Sequence, residues 1–270
     1  MIVIRRIAVS IVATCALVAH TAPVWAAAEV HRLSLVLSSN PTQLVARDVN
    51  DQLDDYNRIV LETRGLQGID KLTFAWYHQA DFRYFVRPNI TVSAGFGQLR
   101  TMTTREFLPR IGQRIQHRAE VLSVPVHVGA AYYLAPYNQG DFQARAYLGG
   151  GFTHYTSNKV IFERLEFNTD TLTTLGPPES FRLNSFRLTG DRDGPGYYLE
   201  AGAHMFFAVR YSVMLGVIHR SAKIRNVART FETLDRATGN PVTSNATETA
   251  ETFSLDLGGV GVRMAVGIGF

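Results

Sequence analysis

Residues 259–270 have the sequence GVGVRMAVGIGF, and this stretch decides the fold. Every second residue is large and apolar, and the intervening positions hold glycine, alanine and one arginine. An alternation of period two is typical of a β-strand with two different faces. Chain termini tend to fray into water, so a soluble domain seldom ends on so apolar a segment. The pattern therefore predicts a strand whose apolar face meets lipid and whose small residues face a narrow interior.

The N-terminal segment 1–28 has the composition of a secretory signal peptide. Arg5 and Arg6 precede an apolar run at 7–19, and three alanines at 26–28 precede Glu29. The run is shorter than the roughly 20 residues of a spanning helix. Cys15, the one cysteine of the chain, lies within it, so we expect no disulfide or thiol chemistry after cleavage. We expect a signal peptide at 1–28 and one outer-membrane β-barrel domain at 29–270.

The charge balance excludes some classes of partner. The formal net charge is +4, and it falls to +2 when Arg5 and Arg6 are removed. So small an excess does not favour nucleic-acid binding. No segment after residue 28 is apolar enough to predict a membrane helix. A membrane-embedded chain without helices must close into a barrel to pair its backbone groups.

Eight segments alternate with period two and are bounded by turn residues. They are 32–38, 71–86, 90–102, 119–134, 142–155, 196–208, 210–226 and 252–270. Short and long links alternate between them, the long links being 39–70, 103–118, 156–195 and 227–251. Membrane barrels have short periplasmic turns, long outer loops and an even strand number. The pattern predicts an all-β fold, an eight-stranded antiparallel up-and-down transmembrane β-barrel.

The long links carry structure of their own in this prediction. Asn40-Pro41 is typical of a helix start, and apolar residues at helical spacing follow it as far as Gly65, which predicts one short amphipathic helix in the first extracellular loop. The stretches VIFERLEF and FRLNSFRL in the third long link alternate like strands, and ATGNP is typical of a turn in the fourth. In the last segment, the phase of the alternation is predicted to change at a glycine bulge near Gly258.

The terminal alternation and the sorted links together resemble the family of small eight-stranded outer-membrane β-barrel proteins. The resemblance implies that the barrel-assembly machinery recognises the C-terminal residues Met264, Val266, Ile268 and Phe270. It also implies a location in the bacterial outer membrane of a Gram-negative cell, in contact with lipid and lipopolysaccharide. We expect a monomer.

The predicted inner faces carry charged residues that almost balance. They are Asp81, Arg83, Arg145, Glu200, Arg220, Asp256 and Arg263, together with His204. Charges in a narrow interior must pair or be hydrated. They predict either an ion-selective pore or a salt-bridged plug. We favour the plug, because eight strands leave an interior just wide enough for side chains.

Four arginines surround the second long link: Arg105, Arg110, Arg114 and Arg118. Guanidinium groups can bind phosphate through two parallel hydrogen bonds. These residues are candidate contacts for lipopolysaccharide phosphates, and an ordinary solvated rim is the alternative.

The sequence THYTSN at 153–158 is similar to the His-x-Ser-Asn motif of the lipid A deacylase family. That resemblance would imply Ser and His catalysis. Here, however, His154 and Ser157 are three residues apart, and on a regular strand they point to opposite faces. We therefore expect no catalytic site. No histidine spacing suggests a metal site, and we expect no cofactor.

The expected function is envelope support and surface contact through protruding loops, with a surface protein as a possible partner. A small pore and, less favoured, a lipid A-modifying hydrolase are the alternatives.

The terminal pattern generates a first prediction. Deleting Phe270 should lower the amount of protein inserted in the outer membrane while export across the inner membrane continues. Heat-modifiable migration of outer-membrane fractions measures insertion, and Phe270→Tyr, which keeps a terminal aromatic ring, is the control. Full insertion of the deleted chain would contradict the proposed recognition.

Overall fold

A computed structural model describes residues 32–110, 113–168, 186–207, 210–233 and 249–270. The predicted signal peptide, the GPP sequence and the ATGNP turn lie outside these residues. Within the described part there are eleven strands and one α-helix. They are β1 (Leu33–Gln43), α1 (Arg47–Tyr56), β2 (Phe74–Arg87), β3 (Ile90–Arg110), β4 (Gln113–Tyr133), β5 (Tyr137–Gln139), β6 (Phe142–Asn168), β7 (Phe186–Asp191), β8 (Gly194–Phe207), β9 (Tyr211–Thr233), β10 (Thr249–Asp256) and β11 (Gly259–Gly269).

Eight of the strands close into a ring. Antiparallel pairing follows the order β1, β2, β3, β4, β6, β8, β9 and β11, and β11 pairs again with β1. In the closing ladder Ser34 is opposite Gly269 and Leu37 is opposite Val266. The predicted fold class, an eight-stranded antiparallel up-and-down barrel with one short helix, is confirmed. We call its two ends the short-turn end and the long-loop end.

On the barrel strands, the outward-facing side chains are apolar and exposed, and the inward-facing side chains are buried. On β2, for example, Asp81 and Arg83 are buried, whereas Phe82 and Tyr84 between and beside them are exposed. Every barrel strand contributes to an outer belt of large apolar side chains that are between 43% and 76% exposed. The belt includes Leu37, Phe82, Val92, Phe96, Val126, Val128, Leu148, Phe152, Leu199, Leu215, Val217, Val262 and Val266.

Several strands continue past this belt at the long-loop end. The hairpin of β3 and β4 extends to Arg110 and Gln113, so the described part of the predicted loop 103–118 is instead paired strand. Strand β7 lies between the far parts of β6 and β9, and β10 pairs with β9 on its other side. We call β7, β10, α1 and the parts of β3, β4, β6 and β9 that lie beyond the belt the extension. Within the predicted strands at 160–167 and 181–188, every residue that the structure describes belongs to β6 or β7.

The helix begins later than predicted. Asn40 and Pro41 belong to β1, opposite Tyr77 and Trp76, and do not cap a helix. Asn40 is buried in the barrel, where its amide Nδ2 donates to Gln79 Oε1 at 3.4 Å. Helix α1 starts after Ala46 and continues through a π-helical turn and a 3₁₀ turn.

The helical segment ends where the spacing predicted, and its inner face is apolar. Gly65 terminates it with a φ of 68°, in the left-handed region that favours glycine. Val49 and Leu53 are buried, as the helical spacing indicates.

Two residues with left-handed backbone mark bulges at the base of the extension. Ser157 in β6 has φ 50° and Asn226 in β9 has φ 56°. At Ser157 the register of β6 against β4 shifts, and the buried residues change from Tyr155 and its alternates to Asn158 and Val160. An extra residue in one strand reverses the facing of every residue beyond it.

The glycine bulge predicted near Gly258 does not occur. Leu255 and Leu257 are buried on the same side as Gly259 and Arg263, so one face remains inward throughout. The strand is interrupted there, between β10 and β11, and a Cβ on Gly259 would overlap the carbonyl oxygen of Gln43. Asp256, predicted inside, is therefore displaced from the inner face.

The bulge at Ser157 generates a second prediction. Ser157→Val should lower the free energy of unfolding by about 1–2 kcal/mol, because a β-branched side chain crowds the backbone at positive φ. Ser157→Gly should not. Ser39→Val, at a regular position of β1, is the matched control. Urea unfolding in lipid vesicles, followed by tryptophan fluorescence, measures all three, and equal losses for both valine variants would count against the bulge.

Candidate functional site

Aromatic side chains fill the interior near the short-turn end. Phe85, Tyr133, Tyr147 and Phe206 pack there, with Tyr133 and Tyr147 stacked at a ring-centroid distance of 5.6 Å. The Tyr133 hydroxyl and His204 Nδ1 are 3.0 Å apart. His204 is buried, as predicted from its strand face.

The middle of the barrel holds a buried ionic cluster, formed by Asp81, Arg83, His127, Glu200 and Arg263. Arg83 Nη2 donates to Glu200 Oε1 at 2.8 Å, and Arg263 bridges Glu200 and Asp81 through its two Nη atoms. His127 Nε2 is 2.6 Å from Asp81 Oδ1. Each member is at most 5% exposed. The four strands β2, β4, β8 and β11 therefore meet through charges at one level.

Mutual pairing is what makes such burial tolerable. Removing a charge from water costs several kcal/mol, and only close opposite charges with further hydrogen bonds offset that cost. The carboxylates of Asp81 and Glu200 pair here with the guanidinium groups of Arg83 and Arg263. Gln79 Nε2 adds a hydrogen bond to Asp81 Oδ2 at 2.9 Å. The arrangement has the contacts of a structural plug, with every carboxylate oxygen of Asp81 and Glu200 accepting from a neighbour.

Three residues predicted for this network lie elsewhere. Arg145 is buried toward the short-turn end and donates to Gln143 Oε1 at 2.9 Å and to the carbonyl of Pro88. Arg220 lies over the Tyr77 ring at 4.1 Å and donates to the Thr42 hydroxyl.

The prediction was wrong for Asp256. It is half-buried at the end of β10, opposite Lys223, and its Oδ1 accepts the Gly258 N–H at 2.9 Å. The assumed change of phase had assigned it to the inner face. Conversely, His127 was not among the predicted inner residues, although the alternation of β4, with apolar residues at 126 and 128, assigns it to the inner face where it lies.

An apolar cap closes the interior at the long-loop end. Leucines dominate it, and α1 packs its buried side chains against them. Its members include Leu44, Val49, Leu53, Leu61, Leu72, Ala75, Leu99, Val121, Ala222, Ile224, Leu255 and Leu257. The cap, the ionic cluster and the aromatic layer follow one another along the barrel axis. Beside the cluster a cavity of about 10 Å³ remains, room for no more than one water molecule.

Polar contacts fix α1 on this cap. The Asn50 amide accepts the Leu72 N–H at 2.7 Å and donates to the Leu72 carbonyl at 3.0 Å. Asp48 accepts the Ser254 hydroxyl at 2.6 Å and the Ser254 N–H at 2.9 Å, and the hydroxyl contact lowers the pKa of Asp48. The first turn of α1 is thereby tied to β10 and to the segment that precedes β2.

A buried histidine lies beside the helix. Burial, with the nearby guanidinium of Arg164, lowers the pKa of His117 from 6.5 to about 4. Its ring packs against Tyr56 and Phe107 at centroid distances of 5.2 and 5.6 Å. A neutral imidazole at neutral pH is what this aromatic environment favours.

The four candidate arginines of the lipopolysaccharide rim lie on the β3–β4 hairpin. Arg114 pairs with Glu106 at 2.7 Å, and Arg118 contacts Glu120. Arg105 donates to the Gly68 carbonyl. The side chain of Arg110 lies outside the described atoms. A phosphate binding here would have to replace or share these contacts.

The bulge changes the geometry of the THYTSN stretch. His154 and Ser157 are both exposed, contrary to the expected opposite faces, because the alternation of β6 is interrupted by the bulge at Ser157. Among the described contacts neither side chain hydrogen-bonds to the other. The Ser157 N–H donates to Asp193 Oδ1 at 3.0 Å.

The C-terminal residues lie on the outer face of β11. Met264, Val266 and Ile268 are exposed in one row, and Phe270 is 69% exposed. The Phe270 N–H donates to the Leu33 carbonyl at 2.9 Å, so the terminus is held to β1. Among the described helices none is long and apolar enough to cross a membrane.

No protein-family model matches the chain, and no curated protein matches it. The solved structures that are similar to it include the outer membrane protein OprG from Pseudomonas aeruginosa, at 12% identity and a TM-score of 0.43, covering 88% of this chain and 96% of that one. The N-terminal β-barrel domain of OprF from the same organism is 9% identical, with a TM-score of 0.39, over 90% and 100% of the two chains.

A third similar structure is that of Ail, the attachment invasion locus protein of Yersinia pestis, in complex with the heparin analogue sucrose octasulfate. It is 12% identical, with a TM-score of 0.35, over 89% of this chain and 98% of that one. Values this low assign neither a family nor an activity.

The ionic cluster generates a third prediction. Glu200→Gln leaves Arg83 and Arg263 without their shared carboxylate charge and should cost about 3–5 kcal/mol of unfolding free energy. Glu106→Gln, which breaks the half-exposed pair with Arg114, should cost less than about 1 kcal/mol. Urea unfolding in lipid vesicles compares the two. Similar small losses would show that the cluster does not stabilise the barrel.

Proposed function

We propose that this protein is a non-catalytic barrel of the bacterial outer membrane that supports the envelope and contacts partners at the cell surface through its extension. The observation that carries the proposal is the reversed polarity of the barrel. Large apolar side chains are exposed on every barrel strand, while a buried ionic cluster occupies the middle.

The belt supports a membrane location on energetic grounds. Burying apolar surface is favourable by about 25 cal/mol per Å², and monomeric soluble proteins rarely expose large continuous apolar patches. Exposed aromatic residues near the strand ends, including Trp76, Tyr84, Tyr132 and Tyr211, fit the aromatic girdles of outer-membrane barrels. By the same comparison, the extension faces the cell exterior and the short turns face the periplasm.

The filled interior favours the plug over the pore. An ion moving along the axis would meet the aromatic layer, then the paired charges, then the apolar cap. Opening that path would separate buried ion pairs and detach α1. Planar bilayers with the purified protein should therefore show little steady conductance.

The extension supports a role in contact. Ordering each backbone residue costs about 1–2 kcal/mol of conformational entropy, and the barrel can close without these residues. Beyond Arg100, the described part of β3 pairs with β4 alone, so its other edge is available to an extended partner strand. Arg105 lies along this edge, and such charged side chains limit indiscriminate strand pairing. Lipopolysaccharide phosphates are a second proposed partner, through the arginines of the same hairpin.

The fourth prediction tests contact through the extension. Replacing 103–118 with a short turn removes the edge of β3 beyond Arg100 and leaves the eight-stranded ring paired, so the barrel should still fold and insert. Binding to host cells or to isolated envelope components should fall, in a pull-down or adhesion assay beside a heat-modifiability gel. Replacing Asn138 and Gln139 in the β4–β6 link with glycine and serine, at the opposite end, is the control and should leave binding unchanged.

Two outcomes contradict the proposal in different ways. Unchanged binding by the trimmed protein would mean that contact occurs elsewhere. Large, long-lived channels formed by the full-length protein in planar bilayers would favour the pore.

A further inference from the structure

The extension contains a cavity of about 400 Å³ between α1 and the sheet of β6, β7, β9 and β10. We call it the extension cavity. Its lining is dominated by aliphatic and aromatic side chains. The apolar lining residues include Val49, Leu53, Tyr56, Ile59 and Val60 from the helix side and Val160, Phe162, Leu188, Phe231 and Phe253 from the sheet. The polar lining residues are Gln52, Asp55 and Thr189. Pockets for small molecules in proteins have volumes of about 300–1,000 Å³ and mostly apolar linings.

The position of the cavity determines which molecules reach it. Val160 and Phe162 lie beyond the bulge at Ser157, on the side away from the outer belt. Ile59, 62% exposed, and Asp55 line the cavity and are open to solvent, so its mouth faces water. A ligand therefore enters from the aqueous side.

The charges around the cavity select for a neutral ligand. None of its described lining residues is lysine or arginine. The one carboxylate in the lining, Asp55, is paired with Arg58 at 2.7 Å. A fatty acid or a phosphorylated lipid would gain no ion pair from the described lining, and its anionic headgroup would meet the carboxylate of Asp55 at the mouth.

Aromatic rings provide a surface for flat ligands. The rings of Tyr56 and Phe162 meet edge to face at a centroid distance of 5.1 Å. Phe231 of β9 and Phe253 of β10 also line the cavity. Edge-to-face and offset ring contacts contribute beyond the area they bury. The helix wall is held by Asn50 and Asp48, so the cavity is formed before a ligand arrives, which lowers the entropic cost of binding.

We propose that the extension cavity binds a neutral aromatic hydrocarbon taken up from the aqueous phase. This site lies outside the ionic cluster and the strand edges, and it requires neither adhesion nor a conducting lumen.

The fifth prediction uses the full-length protein in lipid nanodiscs with labelled Ile, Leu and Val methyl groups. Titration with naphthalene should shift the methyl resonances of Val49, Leu53, Val160 and Leu188 along one saturable curve. Val60→Trp and Thr189→Trp fill the cavity from opposite walls and should each weaken binding at least tenfold. Val45→Trp is the control, because Val45 is exposed on the extension but is not a lining residue. Dodecanoate, an anion, should bind at least tenfold more weakly than naphthalene.

Each other result contradicts the proposal. Shifts that do not saturate, or that are equal in Val60→Trp and the control, would show partition into lipid only. Absence of shifts in the full chain, with shifts appearing once 169–185 and 234–248 are shortened, would show that the chain's own segments occupy the cavity. Equal or tighter binding of dodecanoate would show an anionic lipid site. Nanodisc insertion and the adhesion assay are separate measurements, so a failure here leaves the proposed contact role to its own test.

Discussion

The pairing of Asp81 and Glu200 with Arg83 and Arg263 is the interaction on which the rest of the barrel depends. An eight-stranded ring has an interior that only side chains can fill, and its strands here come from distant parts of the sequence. Charges at this level cannot be solvated by bulk water, so each must find its partner across the interior. The partners come from β2, β8 and β11, and His127 adds β4. One register of the ring satisfies all of them, and a slip of any of these strands by one residue would turn its charge outward into the apolar belt.

The same strands run through the barrel and the extension, and the polarity of their inner face reverses between the two. This reversal explains the bulges. In the barrel the inner face is polar and the outer face is apolar. In the extension, Val160, Val227 and Phe253 face inward around an apolar core, while Lys159, Lys223 and Arg225 are exposed. The bulges at Ser157 and Asn226 allow the apolar residues of β6 and β9 to keep one sequence phase while they face outward in the barrel and inward in the extension. Strand β10–β11 needs no such change, because its apolar residues switch position in the sequence instead.

The alternation of apolar residues was enough to predict the eight strands, because an apolar outer face and a crowded interior impose period two on each strand. The inner positions of Asp81, Arg83, Glu200 and Arg263 followed directly from it. The pattern could not predict the places where the regular alternation of a strand is interrupted. The extra residue at Ser157 brought His154 and Ser157 to exposed positions, and the continued phase at Gly258 displaced Asp256. Asn40-Pro41 has the local chemistry of a helix start, but pairing with Tyr77 and Trp76 across the sheet outweighs a local cap. The mutual contacts within the cluster and the extension cavity depend on tertiary distances, which no local pattern contains.

Arg263 links the pairing of the buried charges to the closure of the ring. It lies on β11, the strand whose pairing with β1 closes the ladder, and its guanidinium contacts both Asp81 and Glu200. Without β11, these two acids have Arg83 as their one guanidinium partner within the cluster, and they repel one another across an open sheet. The contact that closes the hydrogen-bonded ladder therefore also completes the neutralisation of the interior, so an opened ring carries an electrostatic penalty as well as unpaired backbone groups.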